Sequence, residues 1–283
     1  MPPRSHPTVR QVRLGAELRK LREAAGLKAR DVAAFLTSTS AQMSHVEAGV
    51  AAVSAQRIRS LAAHYACADE ALIDALVAMA ADRARGWWDE YRGVLPRVYS
   101  DVAEAEHHAA FMRDVVINYV PGLLQTPDYA RALFRYMNPE FPENEVDLRV
   151  GHRMKRRVVI KGDNPTPYTS IVHEMALRIR VSDRHVSRAQ LQQILDHIEQ
   201  GRVTVRVIPT DQDGFAGAGA SMMYLGGPVP QLDTWLRDGP TGVVFIDADA
   251  QLKRLRALFH KVEAASLNPT ASRDFIHRLA KEL

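Results

Sequence analysis

Residues 26–49 read GLKARDVAAFLTSTSAQMSHVEAG. Val32, Ala33, Phe35 and Leu36 are the apolar positions of a short helix that follows Gly26. The polar TSTS interrupts it. Thr39 or Ser38 then caps a second helix, because a hydroxyl accepts from the unpaired N–H groups of a first turn. Met43 and Val46 give that helix an apolar side. Ser40, Ala41, Gln42, Ser44 and His45 form the opposite, exposed side. Upstream, from Val12, Leu14, Leu18, Leu21 and Ala25 keep helical spacing up to Gly26, a natural stop. Downstream, Ser54 is the N-cap of a fourth helix whose inner face is Val53, Ile58, Leu61 and Ala62. Four short helices in about 60 residues, with a tight second-to-third connection, predict a helix-turn-helix unit.

Charge placement agrees with a polyanion partner for this unit. Residues 1–60 hold ten Lys/Arg and four acids, or +6, while the rest of the chain holds 27 bases against 29 acids, or −2. A basic unit on a near-neutral body fits a nucleic-acid surface as well as simple solubility.

The stretch 26–49 resembles the DNA-binding motif of phage-repressor-like (XRE-type) regulators, without a gap. Gly26, Leu27, Val32, small Ala33, Leu36, Met43, Val46, Glu47 and Gly49 carry the match. The resemblance implies that the exposed face of the third helix enters the major groove of double-stranded DNA. Gln42 would pair with adenine, Ala41 would meet a thymine methyl, and Ser40, Ser44 and His45 would lie at bases or phosphates. Thr39, Lys28 and Ala29 would sit near phosphates. The family pairs an arginine of the first helix with the glutamate that closes the third, which here implies an Arg22–Glu47 ion pair. Ala29 stands where many relatives carry a phosphate-binding glutamine, and the VAAV that follows Gly49 lacks lysines. Arg57 and Arg59, or an N-terminal arm with Arg4, Arg10 and Arg13, are the candidates to compensate.

The 283 residues suggest two domains. We place a helix-turn-helix domain at 1–75, and a helical linker with an α/β effector or partner-binding domain at 76–283. The overall class is mainly α with an α/β C-terminal domain. After the basic unit, Leu72, Ile73, Leu76 and Met79 stripe a helix, and Gly86 precedes Trp87, Trp88 and Tyr91. That aromatic cluster either closes a ligand pocket or packs a helix at the joint, and packing is the favoured reading. Val102, Ala105, Ala109, Met112 and Val116 then predict one further helix. In NYVPGLLQTPDYARAL (118–133), Pro121-Gly122 makes a turn, Thr126 is an N-cap, Pro127 suits the first helical position and Asp128 favours the positive helix end. The stretch reads as a joint between two helices, with Gln125 and Tyr129 as candidate ligand contacts beside Trp87 and Trp88. Farther on, YTSIVHE, VTVRVIP, SMMYLG and GVVFID have strand composition. Leu191, Ile194, Leu195 and Ile198 stripe a helix between the first two, which suggests a partly parallel sheet. The two C-terminal amphipathic helices either cover the sheet or form a dimer seam.

GWWDEY, VPGLLQTPDYARAL, IVHEMALR, QLQQIL and VTVRVIP, in that order, resemble a C-terminal domain of unknown function attached to XRE-type units in actinobacterial regulators, including the WhiJ type. The resemblance implies transcriptional control of development or specialised metabolism, by a homodimer on a palindromic operator, with a possible small-molecule effector. It also carries an alternative: an antitoxin-like module that binds a small partner protein encoded nearby and autoregulates its own operon.

Catalytic patterns are missing. His173-Glu174 has no second histidine at metalloprotease spacing, His107 and His108 point to different helix faces, and there is no nucleophile elbow or phosphate-binding glycine loop. DGFAGAGA (213–220) reads as a flexible loop. We therefore expect no enzyme activity, no cofactor and no metal. One cysteine, Cys67, and the lack of an apolar span predict a cytoplasmic protein without membrane association.

Overall fold

The computed structural model describes residues 7–82, 85–162, 164–217, 221–238 and 242–283. The chain divides into two compact units: residues 1–92 with 100–105, and residues 93–99 with 106–283.

The first unit is helical. Its elements are α1 (Val9–Ala24), α2 (Ala29–Phe35), α3 (Ser40–Glu47), α4 (Ala55–His64) and α5 (Glu70–Ala81). Hydroxyls and one carboxylate start most of them. Thr8 Oγ1 accepts from Gln11 N, Thr39 from Gln42 N, Ser54 from Arg57 N, and Asp69 from Leu72 N. Each satisfies a first-turn N–H that the helix cannot pair itself. Leu18, Val32, Met43, Val46, Ile58, Leu61 and Leu76 form the core, each at most 5% exposed. Phe35 does not join it. This last residue of α2 is 50% exposed, and its ring lies flat on His64 at the end of α4, with centroids 4.0 Å apart.

A helix α6 (Arg97–His107) leads into the second unit, where β1 (Phe111–Val116) follows. The single helix predicted from Val102 to Val116 is thus wrong in its second half. Met112, Val115 and Val116 are strand residues, because β1 is paired on both sides: parallel to β2 (Tyr168–His173) and antiparallel to β4 (Met222–Gly226). Ladder pairing with chain far away in sequence overrode a helical spacing. The stretch 118–133 accordingly joins a strand to a helix, not two helices.

The remaining elements are α7 (Pro127–Met137), α8 (Glu143–Arg156), α9 (Glu174–Arg178), α10 (Arg184–Glu199), β3 (Thr204–Ile208), β5 (Thr234–Arg237), β6 (Val244–Ile246), α11 (Asp249–Ala264) and α12 (Pro269–Glu282). The strand order is β3-β2-β1-β4-β5-β6. The β1–β2 and β2–β3 pairs are parallel, and the pairs from β1 through β6 on the other side are antiparallel. Successive strand residues point to opposite faces, and Val115 with Val116, like Ile171 with Val172, are all buried. Both faces of the central strands are therefore covered. The two C-terminal helices pack on the sheet. Leu252, Phe259 and Val262 of α11 lie on Val115, Ile171, Tyr224 and Trp235. At the β3 edge, Val207 N donates to Ser272 Oγ of α12, and Leu267 N donates to Val207 O. That occupies backbone groups an edge strand would otherwise leave open. No helix among the described residues is long and apolar enough to cross a membrane.

Candidate nucleic-acid interface

Helix α3 has two sides. Met43 and Val46 are 2% and 5% exposed and face the core, while Ser40, Ala41, Gln42, Ser44 and His45 are exposed. Three contacts fix how this helix is presented. First, Arg22 of α1 meets Glu47 at the end of α3 through two parallel bonds, Nε to Oε1 at 2.6 Å and Nη2 to Oε2 at 2.9 Å. Its Nη1 donates to Leu27 O at 2.8 Å, so one guanidinium ties α1, the α1–α2 turn and α3 together. The hydrogen bond to Glu47 raises the Arg22 pKa, and the charge is permanent. Second, Gly15 lets α1 lie against the backbone of α3. A Cβ there would come 2.4 Å from Glu47 O and 2.6 Å from Val46 O. Third, Gly49, at φ +74, approaches Gln11 O of α1, where a Cβ would stand 2.6 Å away. Neither glycine contact was visible in the sequence, although a glycine inside the helical RLGAEL was its available signal.

Ser38 Oγ donates to Gln42 Oε1 at 2.8 Å. The amide oxygen has a second lone pair, so Gln42 keeps one acceptor site and its NH2 for a base edge while Ser38 holds its orientation. Thr39 caps α3, and Lys28 stands at the N-cap of α2, with its N–H donating to Asp31 Oδ2 at 3.3 Å. Ala29 is the first residue of α2. Arg57 lines a shallow hollow with Ser38, Gln42 and Met43.

The formal charge of the unit is mostly spent internally. Arg10 pairs with Asp82, Arg13 and Lys20 with Glu17, Arg19 with Glu23, Arg22 with Glu47, Arg30 with Asp31 and Arg59 with Asp74. Among the described residues of 7–60, Lys28 and Arg57 are the cations with no carboxylate at ion-pair distance. Two of the three arginines of the expected N-terminal arm are taken up in this way. Arg13 is 6% exposed against Glu17, Arg10 is turned toward Asp82, and Arg4 lies outside the described residues. The helical start at Val9 draws both arginines into α1. Arg59 likewise spends its charge on Asp74.

The four candidate ligand contacts behave as packing residues. Trp88 is 3% exposed, and Trp87 meets Trp88 and Tyr91 edge-on with centroids 6.0 Å apart. Gln125 is fully buried and both ends of its amide are engaged: Nε2 donates to Val120 O at 2.7 Å, and Oε1 accepts from Arg153 Nη1 at 2.7 Å. Tyr129 is 2% exposed, and its hydroxyl accepts from Val120 N at 3.2 Å. Buried polar atoms that are already bonded have nothing to offer a ligand without first losing a partner. Besides Arg153 of α8, Gln190 and Gln193 of α10 hold this stretch from outside. Gln190 accepts from Thr126 N and donates to Leu124 O, and Gln193 donates to the same carbonyl. The QLQQIL segment therefore staples α10 to the turn, a role its composition could not announce.

Residues 13–76 match a helix-turn-helix domain, which makes the first unit a DNA-binding domain. No curated protein and no solved structure matches the chain. Residues 99–278, more than half of the chain, match the family described as a domain of unknown function (DUF5753), and the protein belongs to that family.

Proposed function

We propose that this DNA-binding protein is a sequence-specific transcriptional regulator of the phage-repressor type, acting in the cytoplasm as a homodimer on a palindromic operator, with its second unit receiving a small-molecule or protein signal. The observation that carries the reading is the exposed face of α3. Gln42 is oriented there by Ser38 and shares a hollow with Arg57, and Arg57, like Lys28 at the start of α2, has no carboxylate at ion-pair distance among the described residues. Base readout needs an oriented amide, and docking needs cations that no carboxylate has neutralised. The homodimer rests on the two half-sites such units ordinarily read. Control of development or specialised metabolism rests on the resemblance of the second unit alone.

The test begins with duplexes selected from a random pool by the full chain. Gln42→Ala is expected to weaken the selected site by about 1–3 kcal/mol while leaving random duplex unchanged. Arg57→Gln is expected to weaken both alike and to lower the salt slope by about one. Equal losses on both duplexes for Gln42→Ala would show that this residue does not read a base. A second reading, an antitoxin-like module that binds a small partner protein, is favoured by Tyr136 and Met137, adjacent at the end of α7 and 81% and 63% exposed. Whatever copurifies with the chain in the same experiment separates the two.

A further inference from the structure

The ends of α8 and α10 bring four nitrogen side chains together. Arg157 opens the short helical turn Arg157–Ile160, and Lys161 follows it. His197 lies in the last turn of α10. Gly201, at φ +65, turns the chain back so that Arg202 N donates to His197 O at 3.0 Å. Arg157 Nη2 stands 3.3 Å from His197 Nε2. A guanidinium can only donate, so Nε2 accepts and the imidazole carries its proton on Nδ1. Burial first, then Arg157, Lys161 and Arg202, push the His197 pKa down to about 4.

Arg157 Nε and His197 Nδ1 are both buried without a hydrogen-bond partner among the described residues. Burial and Arg202 lower the Arg157 pKa; burial, Arg157 and Arg202 lower that of Lys161. Neither has a carboxylate that offsets these effects among the described residues. Asp196 acts weakly on His197 and accepts from Gln192 Nε2 at 2.8 Å. An unpaired buried donor costs about 1–3 kcal/mol, and mutual repulsion adds to it. The C-terminal dipole of a helix offers roughly half a negative charge, which does not balance three cations.

We propose that Arg157, Lys161, His197 and Arg202 form a binding site for the phosphate group of a small-molecule ligand. The site rests on the reading of the second unit as the receiving part of a regulator only for its regulatory meaning. A phosphate dianion has three acceptor oxygens, each with more than one lone pair, enough for two guanidinium groups, an ammonium and a single imidazole N–H; a carboxylate would satisfy one fork and leave the rest. The central donors are recessed, with His197 only 3% exposed. Duplex DNA presents its phosphates on a convex surface to exposed side chains, whereas Arg157 Nε and His197 Nδ1 are buried, which favours a small ligand.

The test uses the full chain and inorganic phosphate, titrated calorimetrically in chloride buffer at constant ionic strength and without DNA. Saturable binding is expected, weakened about tenfold or more by Arg157→Gln and by Arg202→Gln, the loss of one charge-assisted contact. Arg202 is half-exposed, so its variant is expected to keep the wild-type unfolding curve. Bound phosphate is also expected to raise the His197 pKa, seen in its imidazole NMR titration. Absence of saturable binding to the wild type, or undiminished binding in both variants, overturns the site. So does a result in which phosphate fails to bind while Arg202→Gln weakens random duplex, which would make the cluster a nucleic-acid contact. A chain that binds phosphate but selects no operator sinks the regulator reading and leaves the site standing; the converse sinks the site alone.

Discussion

In the first unit, Arg19–Glu23 and Arg59–Asp74 lie along the surface, and the polar face of α3 points outward. In the second, Glu106, Asp114 and Asp233 are at most 4% exposed, and each is met by an arginine or hydroxyl: Arg156 on Glu106, Tyr168 and Ser170 on Asp114, Tyr224 and Arg256 on Asp233. The first unit seals in two ion pairs, Arg13–Glu17 and Arg22–Glu47, and turns most of its other polar chemistry outside. The second keeps much of it inside, where it fixes the packing and makes the fold respond to charge. A DNA reader needs a rigid, apolar-cored frame for an outward face.

The contrast can be broken first at Glu106. Arg156 Nε donates to Glu106 Oε2 at 2.8 Å, and Glu106 is fully buried. Glu106→Gln leaves the guanidinium without its counter-charge and is expected to destabilise the second unit by about 3–5 kcal/mol. Denaturant unfolding checks it. A loss under about 1 kcal/mol would mean the buried charges matter no more than the surface pairs of the first unit. The first unit, by contrast, should be most sensitive to backbone approach. Gly15→Ala sets a methyl against the Glu47 carbonyl and is expected to cost about 1–3 kcal/mol, with operator affinity lost before the second unit unfolds. Circular dichroism and a binding titration on the same sample read both.

The smallest expected effect concerns pH. His152 is 1% exposed, and burial, then Arg156 and Arg153, push its pKa down to about 3; that of His197 falls to about 4. For a base with a depressed folded pKa, the unfolded chain takes up the proton first, so stability falls as pH drops below about 6.5. Asp114 works the other way. Burial pushes it up to about 7, so the folded chain takes up its proton first and gains stability as pH falls through that value. Two histidines against one aspartate leave a net loss of about 2 kcal/mol between pH 7 and pH 5. Unfolding curves at the two pH values measure it. A second unit more stable at pH 5 would show that Asp114 dominates.

Much of the first unit was legible because its information is local. Helical spacing, a hydroxyl before α3 and before α4, and Gly26 at a turn act over three or four residues, and these also separate the core side of α3 from its exposed side. What stayed hidden were approaches between elements. The place of Gly15 against Glu47, the inward turn of Arg10 and Arg13, and Phe35 lying on His64 all depend on where the next helix packs. In the second unit, four strand segments were legible from β-branched and aromatic runs. β1 and β5 were not: β5 is a run of only four residues, while the neighbours of β1 in the ladder begin more than 50 residues away in sequence and its own spacing mimicked a helix. Gln125 and Tyr129 looked available because turn chemistry places them, but says nothing of what fills the space around them.

The sequence by itself determined the helix-turn-helix unit, the polar face of α3 and the turn at 121–128, since each follows from periods and caps within one or two helical turns. Only the tertiary structure decided which cations remain unpaired, which polar groups are sealed into the core, and that Arg157, Lys161, His197 and Arg202 act on one another with only the weak influence of Asp196 to offset them. Those outcomes depend on the separation of charges in space, and Coulomb energy and desolvation follow distance and burial, not position along the chain.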